Sequence, residues 1–517
     1  MNVVTGEEMH QIDRYTIEEI GLKAELLMEN AGLAFVSSIL HLMNKKTAKI
    51  AVLIGVGNNG GDGFVISRSL LEKGYQVDVW LIPPVKKVKG TARYHMEVFK
   101  KCGYEFTSYE AITCEDLVRN LKGKTHVIDA MLGTGLVGPL RQPYKEIIEQ
   151  VNQLECQIIS VDLPSGLPAN GNSCITDAIK ASRTITLQCP KLGAYTFPSR
   201  EYYGDLTIVD IGIPKLAIKQ IDSERFLWTE ENVACSLPVR KPSSHKGSHG
   251  KGLIIAGSRT MTGAPILTAK ACHRLGAGLV TLALPDTIIN TVASQLIEST
   301  FHLCPSVNGE INSLNLDDEL MNRFDAIAVG PGLGRNNNGE FIETLLHDFD
   351  KPIVIDADGL FYLKDFLTIL AKRKGTTILT PHLGEFAYLI NEPIAKVEKN
   401  RFQVSRDFAV KYGVYLVLKG PYTVVTTPGG QQFINTSGNP SLAKGGSGDV
   451  LTGMVLALLM QQKDLQSAIS NSIFLHGMAA DYLISHEYSP LSVMASDLIN
   501  IMPKVLNSIQ NRYHKYR

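Results

Sequence analysis

The segment Ala443-Lys444-Gly445-Gly446-Ser447-Gly448-Asp449 carries the clearest chemistry in the chain. It runs directly into Leu451, Val455, Leu458 and Leu459, which share one face of a helix. Amides of a glycine-rich turn, added to the positive end of a helix dipole, make a cradle for a phosphoryl group. Asp449 at the end of that cradle can take a proton from a hydroxyl that attacks phosphorus. A carboxylate there would equally serve as a plain helix N-cap, so its presence alone decides nothing.

A second set lies earlier. Gly57-Asn58-Asn59-Gly60-Gly61-Asp62-Gly63 follows an apolar strand and precedes the helical run FVISRSLLEKG. This reads as a tight strand-to-helix loop whose backbone can approach an anion, or as a turn with left-handed asparagines. Gly133-Thr134-Gly135-Leu136-Val137-Gly138 fits the GxGxxG pattern, but Pro139 and Pro143 delay the helix that a dinucleotide fingerprint needs. Asp129 precedes this loop, and Asp162 and Ser165 sit in VDLPSG. Oxygen atoms of Asn59, Asp129, Asp162 and Ser165 suit a hard cation, whereas capping or loop bracing suits any single Asp among them.

These residues need a scaffold that gathers them. Two helical stretches (roughly Glu7–Ile20 and Ala24–Met43) lead into KIAVLIGVG, YQVDVWLI, THVIDAML, CQIISVDLP, RTITL and DLTIVDIG. Helical stretches separate most of these strands, which predicts a parallel sheet covered on both faces. In such a sheet ligands collect at the carboxyl ends of strands, where Asn59, Asp129, Asp162 and Ser165 all fall. The style repeats in KGLIIAGS, GLVTLALP, FDAIAVGPGLG, KPIVIDADGL, TTILTPH and VYLVLKG, followed by a hairpin, TVVTTPGGQQFIN. Two apolar helices, near Val450–Met460 and Ala468–Leu483, follow it. A basic, polar stretch, PVRKPSSHKGSHGKG from Pro238 to Gly252, lies between the two blocks. The expectation is therefore an α/β chain of two domains, residues 1–225 and 226–517.

The length of 517 residues suits two or three domains, and 44% apolar residues suffice for sizeable cores. Lys plus Arg equals Asp plus Glu at 51 each, so no global field draws nucleic acid or an anionic membrane. Eight scattered cysteines without a CxxC pair argue against zinc and fit a reducing compartment. The opening MNVVTGEEMHQIDR lacks the form of a secretory signal, and no apolar run approaches the ~20 residues of a spanning helix. A cytoplasmic protein acting on small molecules, and forming a homo-oligomer, is expected.

In order, GNNGGDG, VIDAMLGTGLVGP and VDLPSG resemble the YjeF N-terminal family, the NAD(P)H-hydrate epimerases. The resemblance implies a Rossmann-like, three-layer domain that inverts the hydroxylated carbon of the hydrated nicotinamide ring. It implies that Asn58, Asn59, Gly60, Gly61 and Asp62, with Gly133, Thr134, Gly135, Leu136, Val137, Gly138 and Pro139, hold the hydrate. It further implies a potassium ion on Asn59, Asp129 and Ser165, and contact of Asp162 with the ring. Inversion beside a ring nitrogen can run by loss and return of water, which needs a group that moves protons; Asp162 is the first candidate and Asp129 the second.

The Gly445–Asp449 loop is similar to that of the ribokinase-like superfamily. AGSRTMTGAP, AVGPGLG, VIDADGL, LTPHLGEF, VLKGPYTVV and NPSLAKGGSGDVLTG narrow the resemblance to the ADP-dependent NAD(P)H-hydrate dehydratases. That resemblance implies a ribokinase-like α/β domain in which Ala264, Gly332, His382 and Asp449 contact the hydrate. Lys419, Gly420, Pro421, Tyr422 and Thr423, together with Asn439, Pro440, Ser441, Leu442, Ala443, Lys444, Gly445, Gly446, Ser447 and Gly448, would hold ADP with Mg²⁺. Asp449 would be the catalytic base, and AMP and phosphate would be the by-products. Asp356 and Asp358 could steer Mg²⁺ or brace their loop. His382, on its own residues, reads as a structural hydrogen-bonding group. Both epimers of NADHX and NADPHX would thus be returned to the reduced cofactor by one chain. A kinase of a small alcohol shares the glycine loop but not TPHLGEF, a dehydrogenase lacks the helix after Gly138, and a non-catalytic binding module would have lost Asn59, Asp129 or Ser165.

Overall fold

In a computed structural model of the protein, residues 1–136, 138–171, 177–336, 339–486 and 488–513 are described. Val137 therefore lies outside the described residues. The chain divides into two compact units, Met1–Ser223 and Glu224–Arg517.

The first unit is built on a seven-stranded parallel sheet. Its strands are β1 (Lys49–Ile54), β2 (Gln76–Leu81), β3 (Thr107–Ser108), β4 (His126–Ala130), β5 (Gln157–Val161), β6 (Arg183–Leu187) and β7 (Asp205–Val209), in the order β3-β2-β1-β4-β5-β6-β7. Alternate residues of β1 serve opposite layers, as the pleat requires. Ile50, Val52 and Ile54 pack with Phe35, Phe64 and Phe99 on one face. Ala51 and Leu53 pack with Leu117, Ile147 and Ile148 on the other. The result is the expected three-layer α/β domain.

The glycine-rich run after β1 is not the loop its composition suggests. The helix already begins at Asn58 and continues to Glu72, with Gly57 as its cap. Packing overrides the low helix propensity of glycine here. A Cβ at Gly60 would lie 2.0 Å from the Gly55 carbonyl oxygen, and one at Gly61 2.3 Å from the Met28 sulfur. The glycines let the first turn press onto the strand end and the neighbouring helix. By contrast, the segment after Gly138 behaves as its prolines predict, since the next helix opens only at Tyr144, directly after Pro143.

The second unit holds a ten-stranded mixed sheet and a small two-stranded one. Its strands are β8 (Arg225–Trp228), β9 (Lys251–Ile255), β10 (Leu279–Pro285), β11 (Thr300–Cys304), β12 (Ser306–Val307), β13 (Glu310–Ile311), β14 (Ala326–Val329), β15 (Ile353–Ile355), β16 (Thr377–Leu379), β17 (Tyr415–Leu418), β18 (Val424–Thr426) and β19 (Gln432–Asn435). The large sheet has the order β11-β10-β9-β14-β15-β16-β17-β18-β19-β8, and β18 pairs antiparallel with both β17 and β19. The PGG turn thus closes a hairpin. Strand β8 joins this sheet beside β19, so the second unit starts ahead of the Pro238–Gly252 stretch, which lies inside it. Helices Ser447–Gln461 and Leu465–His486 pack apolar faces on one side of the sheet, joined by Ala495–Arg512, which the sequence reading did not single out. Phe341, Leu345, Phe386 and Phe408 cover the other side. No helix among the described residues is long and apolar enough to cross a membrane.

Candidate active sites

The carboxyl ends of β1, β4 and β5 open on a cavity of about 490 Å³ in the first unit. Asn58, Asn59, Asp62, Gly133, Thr134, Gly135, Leu136 and Asp162 line it, as strand-end geometry requires. Gly60 and Gly61 are not in its wall and instead make the tight packing described above. Gly138 and Pro139 are also outside the lining.

Asp162 follows β5 in a left-handed conformation (φ 66°), which is strained for a side chain and aims it at this cavity. Its Oδ1 accepts from the Leu187 amide (3.0 Å), the Thr186 hydroxyl (3.2 Å) and the ammonium of Lys191. Lys191 is 1% exposed, so its charge is compensated chiefly by this one carboxylate. The backbone on either side of Lys191 is pinned by Val4, whose amide donates to Pro190 (3.0 Å) and whose carbonyl accepts from Leu192 (2.9 Å).

Two further carboxyls face the same space. Asp62 is pushed well above the usual carboxylate range by burial and then by the charges of Asp162 and Asp13. Asp13, on the helix Gly6–Glu18, is raised to about 6 by burial; Lys191 opposes the rise and Asp162 adds to it. Sequence reasoning missed Asp13, His10 and Lys191, all of which line the cavity.

Beneath the wall, Asp129 is fully buried and forms a hub. Its Oδ2 accepts from the Ser165 amide (2.8 Å) and the Ser160 hydroxyl (2.9 Å), and its Oδ1 from the Ser165 hydroxyl (2.5 Å). The Leu132 carbonyl accepts from Asn59 Nδ2 (3.0 Å) and Ser165 Oγ (3.3 Å). Asn59 Oδ1 is buried without a hydrogen-bond partner. Asn59 and Ser165 thus converge on the Leu132 carbonyl, Asp129 joins them through Ser165, and one buried oxygen of Asn59 is left unsatisfied.

In the second unit the ends of β14, β15, β16 and β17 gather the expected residues. Gly446 (φ 90°) caps the helix Ser447–Gln461, and Asp449 is its third residue, with no side-chain capping bond at this end. The carboxylate is therefore not spent on the cap. Asp449 is raised to about 6 by burial and by Asp356, with Lys419 pulling the other way and Asp358 adding to the rise. Lys419 Nζ donates to Asp356 Oδ1 (2.8 Å) and lies 3.9 Å from Glu385, while Thr452 donates to Asp356 Oδ2 (2.6 Å). A Cβ at Gly448 would stand 3.6 Å from Lys419 Nζ, which places the cation under the glycine loop.

Asp356 and Asp358 are each engaged by a cation of the chain. Asp358 accepts from the Gly334 amide (3.1 Å) and Arg335 Nε (2.6 Å), holding the GPGLG turn, while Asp356 pairs with Lys419. Ala264 and Gly332 are neighbours, since a Cβ at Gly332 would meet that of Ala264 at 3.0 Å. His382 caps the helix Leu383–Ile390 through Nδ1, which accepts from the amides of Gly384 (3.0 Å) and Glu385 (3.2 Å). Nδ1 is then the acceptor nitrogen, and Nε2 of this exposed side chain lies 3.5 Å from Glu385 Oε1. Asn439 accepts from Ser441 (3.1 Å) and donates to Asp481 (2.9 Å), a residue the sequence reading did not single out. Thr423 Oγ1 closes its own turn on Gly420 (3.1 Å). Ala443, Lys444 and Gly445 are exposed at the loop tip.

Two α/β units, each closing its sheet with glycine-rich segments around a perturbed carboxyl group, define a fused pair of small-molecule enzymes. The NAD(P)H-hydrate dehydratase family matches residues 252–504, and the YjeF-related protein N-terminus family matches residues 24–193. The bifunctional NAD(P)H-hydrate repair enzyme Nnr of Thermofilum pendens is 34% identical over 99% of this chain and 98% of its own length. The enzyme of the same name from Moorella thermoacetica is 35% identical over 99% and 97%. A solved ADP/ATP-dependent NAD(P)H-hydrate dehydratase from Bacillus subtilis, co-crystallised with ATP and Mg²⁺, is 33% identical over 55% of this chain and 98% of that one, with a TM-score of 0.47. The chain belongs to the bifunctional NAD(P)H-hydrate repair enzyme family, with an epimerase domain followed by a dehydratase domain.

Proposed function

We propose that the first unit interconverts the R and S epimers of NADHX and NADPHX, and that the second dehydrates the S epimer at the expense of ADP. The supporting observation is that each unit turns one carboxylate, Asp162 or Asp449, toward a glycine-lined strand end without using it as a helix cap. In the second unit Asp449 takes the proton of the ring hydroxyl as its oxygen attacks the terminal phosphorus of ADP, and AMP leaves. The ring nitrogen then expels phosphate as its lone pair forms a C=N bond, and loss of a proton from the neighbouring ring carbon returns that pair to nitrogen and restores the double bond of the reduced nicotinamide. The residues 419–423 and 439–448 hold the nucleotide, and amides at the start of the helix Ser447–Gln461 stabilise the transferring group.

Mg²⁺ would enter on the nucleotide phosphates, because Asp356 and Asp358 already hold Lys419 and Arg335. In the first unit the unsatisfied Asn59 oxygen, with the Ser165 hydroxyl that shares the Leu132 carbonyl and the Asp129 carboxylate bonded to that hydroxyl, fits a potassium ion. That ion would neutralise buried carboxylate charge and fix the Gly133–Leu136 wall. Replacing K⁺ by Li⁺ is expected to slow epimer interconversion severalfold and to leave the rate of the S epimer's dehydration unchanged.

The direct test follows reduced-nicotinamide absorbance after adding ADP to a mixture of both NADHX epimers. Complete recovery is expected. Recovery that stops at the S fraction would remove the epimerase assignment, and no recovery with ADP or ATP would remove the dehydratase assignment.

A further inference from the structure

Inversion by loss and return of water makes a demand that one carboxylate does not meet. Water departs from one face of the ring and adds to the other, so protons must be handled on both faces. Asp162 sits at the end of β5 and belongs to the sheet. The helix Gly6–Glu18 brings a second set of groups from outside the sheet. Thr5 and Glu8 cap it reciprocally, the amide of Gly6 donates to Asn170 (3.0 Å), and Met9 and Ile12 bury its inner face. Met9, His10, Asp13 and Ile17 all line the cavity that Asp162 lines.

We propose that Asp13 is the second acid/base of the epimerase site, acting with Asp162 on opposite faces of the hydrated nicotinamide ring. The proposal rests on the epimerase reading of this cavity. Asp13 has no capping role, because Thr5 performs it, and no hydrogen bond or ion pair among the described residues claims its carboxyl group. Four charged or titratable neighbours face it from three other segments and its own helix: Asp62, Asp162, Lys191 and His10. Burial, with the charge of Asp162 adding to it, favours its neutral, proton-bearing form, while Lys191 pairs with Asp162.

The step balances without an external reagent. Asp13 gives its proton to the ring hydroxyl, the C–O bond breaks with its electron pair leaving on water, and the nitrogen lone pair forms a C=N bond. Water then adds to the other face, the C=N pair returns to nitrogen, and the surplus proton passes to Asp162. The opposite epimer uses the two groups in exchanged roles, and proton exchange with solvent resets them. Nothing is oxidised or reduced.

The test uses the full chain without ADP, so that the dehydratase is idle, and resolves the two NADHX epimers by chromatography. Asp13→Asn is expected to lower kcat for interconversion at least ~100-fold, the scale of general acid–base catalysis, with KM changed less than about threefold. In the direction in which Asp13 is the acid, it should also remove the decline in rate that accompanies ionisation of Asp13 as pH rises through about 6. Asp13→Glu should keep that decline at a reduced rate. A folded Asp13→Asn chain that retains more than about a third of the wild-type kcat overturns the proposal. So does a folded Asp13→Glu chain that shows no decline in rate as pH rises through the range where Asp13 ionises, and this variant decides the matter where Asp13→Asn does not fold. A wild-type chain that leaves the epimers unchanged sinks the epimerase reading itself, which is a different outcome.

Discussion

Asp449→Asn is expected to lower ADP-dependent recovery of NADH from the S epimer by ~10²–10⁴-fold, the range of a lost general base, while epimer interconversion continues. Asparagine keeps the shape of the side chain but cannot take the hydroxyl proton. The helix should survive, since its cap is Gly446 and not Asp449. The wild-type pH profile follows from the sign of the shift. A base works ionised, and burial with Asp356 holds this carboxyl near 6, so the rate should level off above pH 6 and fall about tenfold per unit below it. Lys419 opposes the rise, so Lys419→Met should move the acid limb to higher pH. A pH–rate series on the purified S epimer, with saturating ADP, reads all three expectations. An acid limb unmoved by Lys419→Met would detach that cation from the base.

The strands of the parallel sheet were legible because their signals are local. Apolar runs such as KIAVLIG and HVIDAML bury both faces and leave their ends to polar residues, so the convergence of Asn59, Asp129, Asp162 and Ser165 follows from topology alone. What could not be read depended on partners distant in the chain. Glycine propensity argues for a loop at Asn58–Gly63, and only the approach of Gly60 to Gly55 and of Gly61 to Met28 makes it a helix. The two-residue strand β3 and the four-residue β8 are too short to carry a period, and β8 finds its place only beside β19. Asp13 lies in a stretch where an acidic residue on an amphipathic helix reads as a solvated face. Lys191, in CPKLG, has no motif at all; its role depends on a carboxylate 29 positions away. Likewise, nothing in VIDADGL says that Asp356 faces Lys419 while Asp358 faces Arg335.

That buried Lys191–Asp162 pair permits activity and stability to be separated in one experiment. Lys191→Met leaves Asp162 among Asp13 and Asp62 without its cation, and breaking a buried pair from one side typically costs about 3–5 kcal/mol. At roughly 2–4 °C per kcal/mol for a unit of this size, the first domain should melt on the order of 10 °C lower. Asp162→Asn instead leaves Lys191 unpaired, and asparagine tolerates the left-handed backbone at this position better than most residues, so only the charge is lost. The double variant removes both charges and should regain most of the stability of the wild type. It should not regain epimerisation, because the carboxylate that meets the ring is still absent; the loss should be ~10²-fold or more in Asp162→Asn and in the double variant alike. Thermal unfolding of the three variants, read beside chromatographic epimer interconversion, decides the matter. Recovery of activity together with stability in the double variant would make the pair a structural brace and would return the proton chemistry to another group in the cavity.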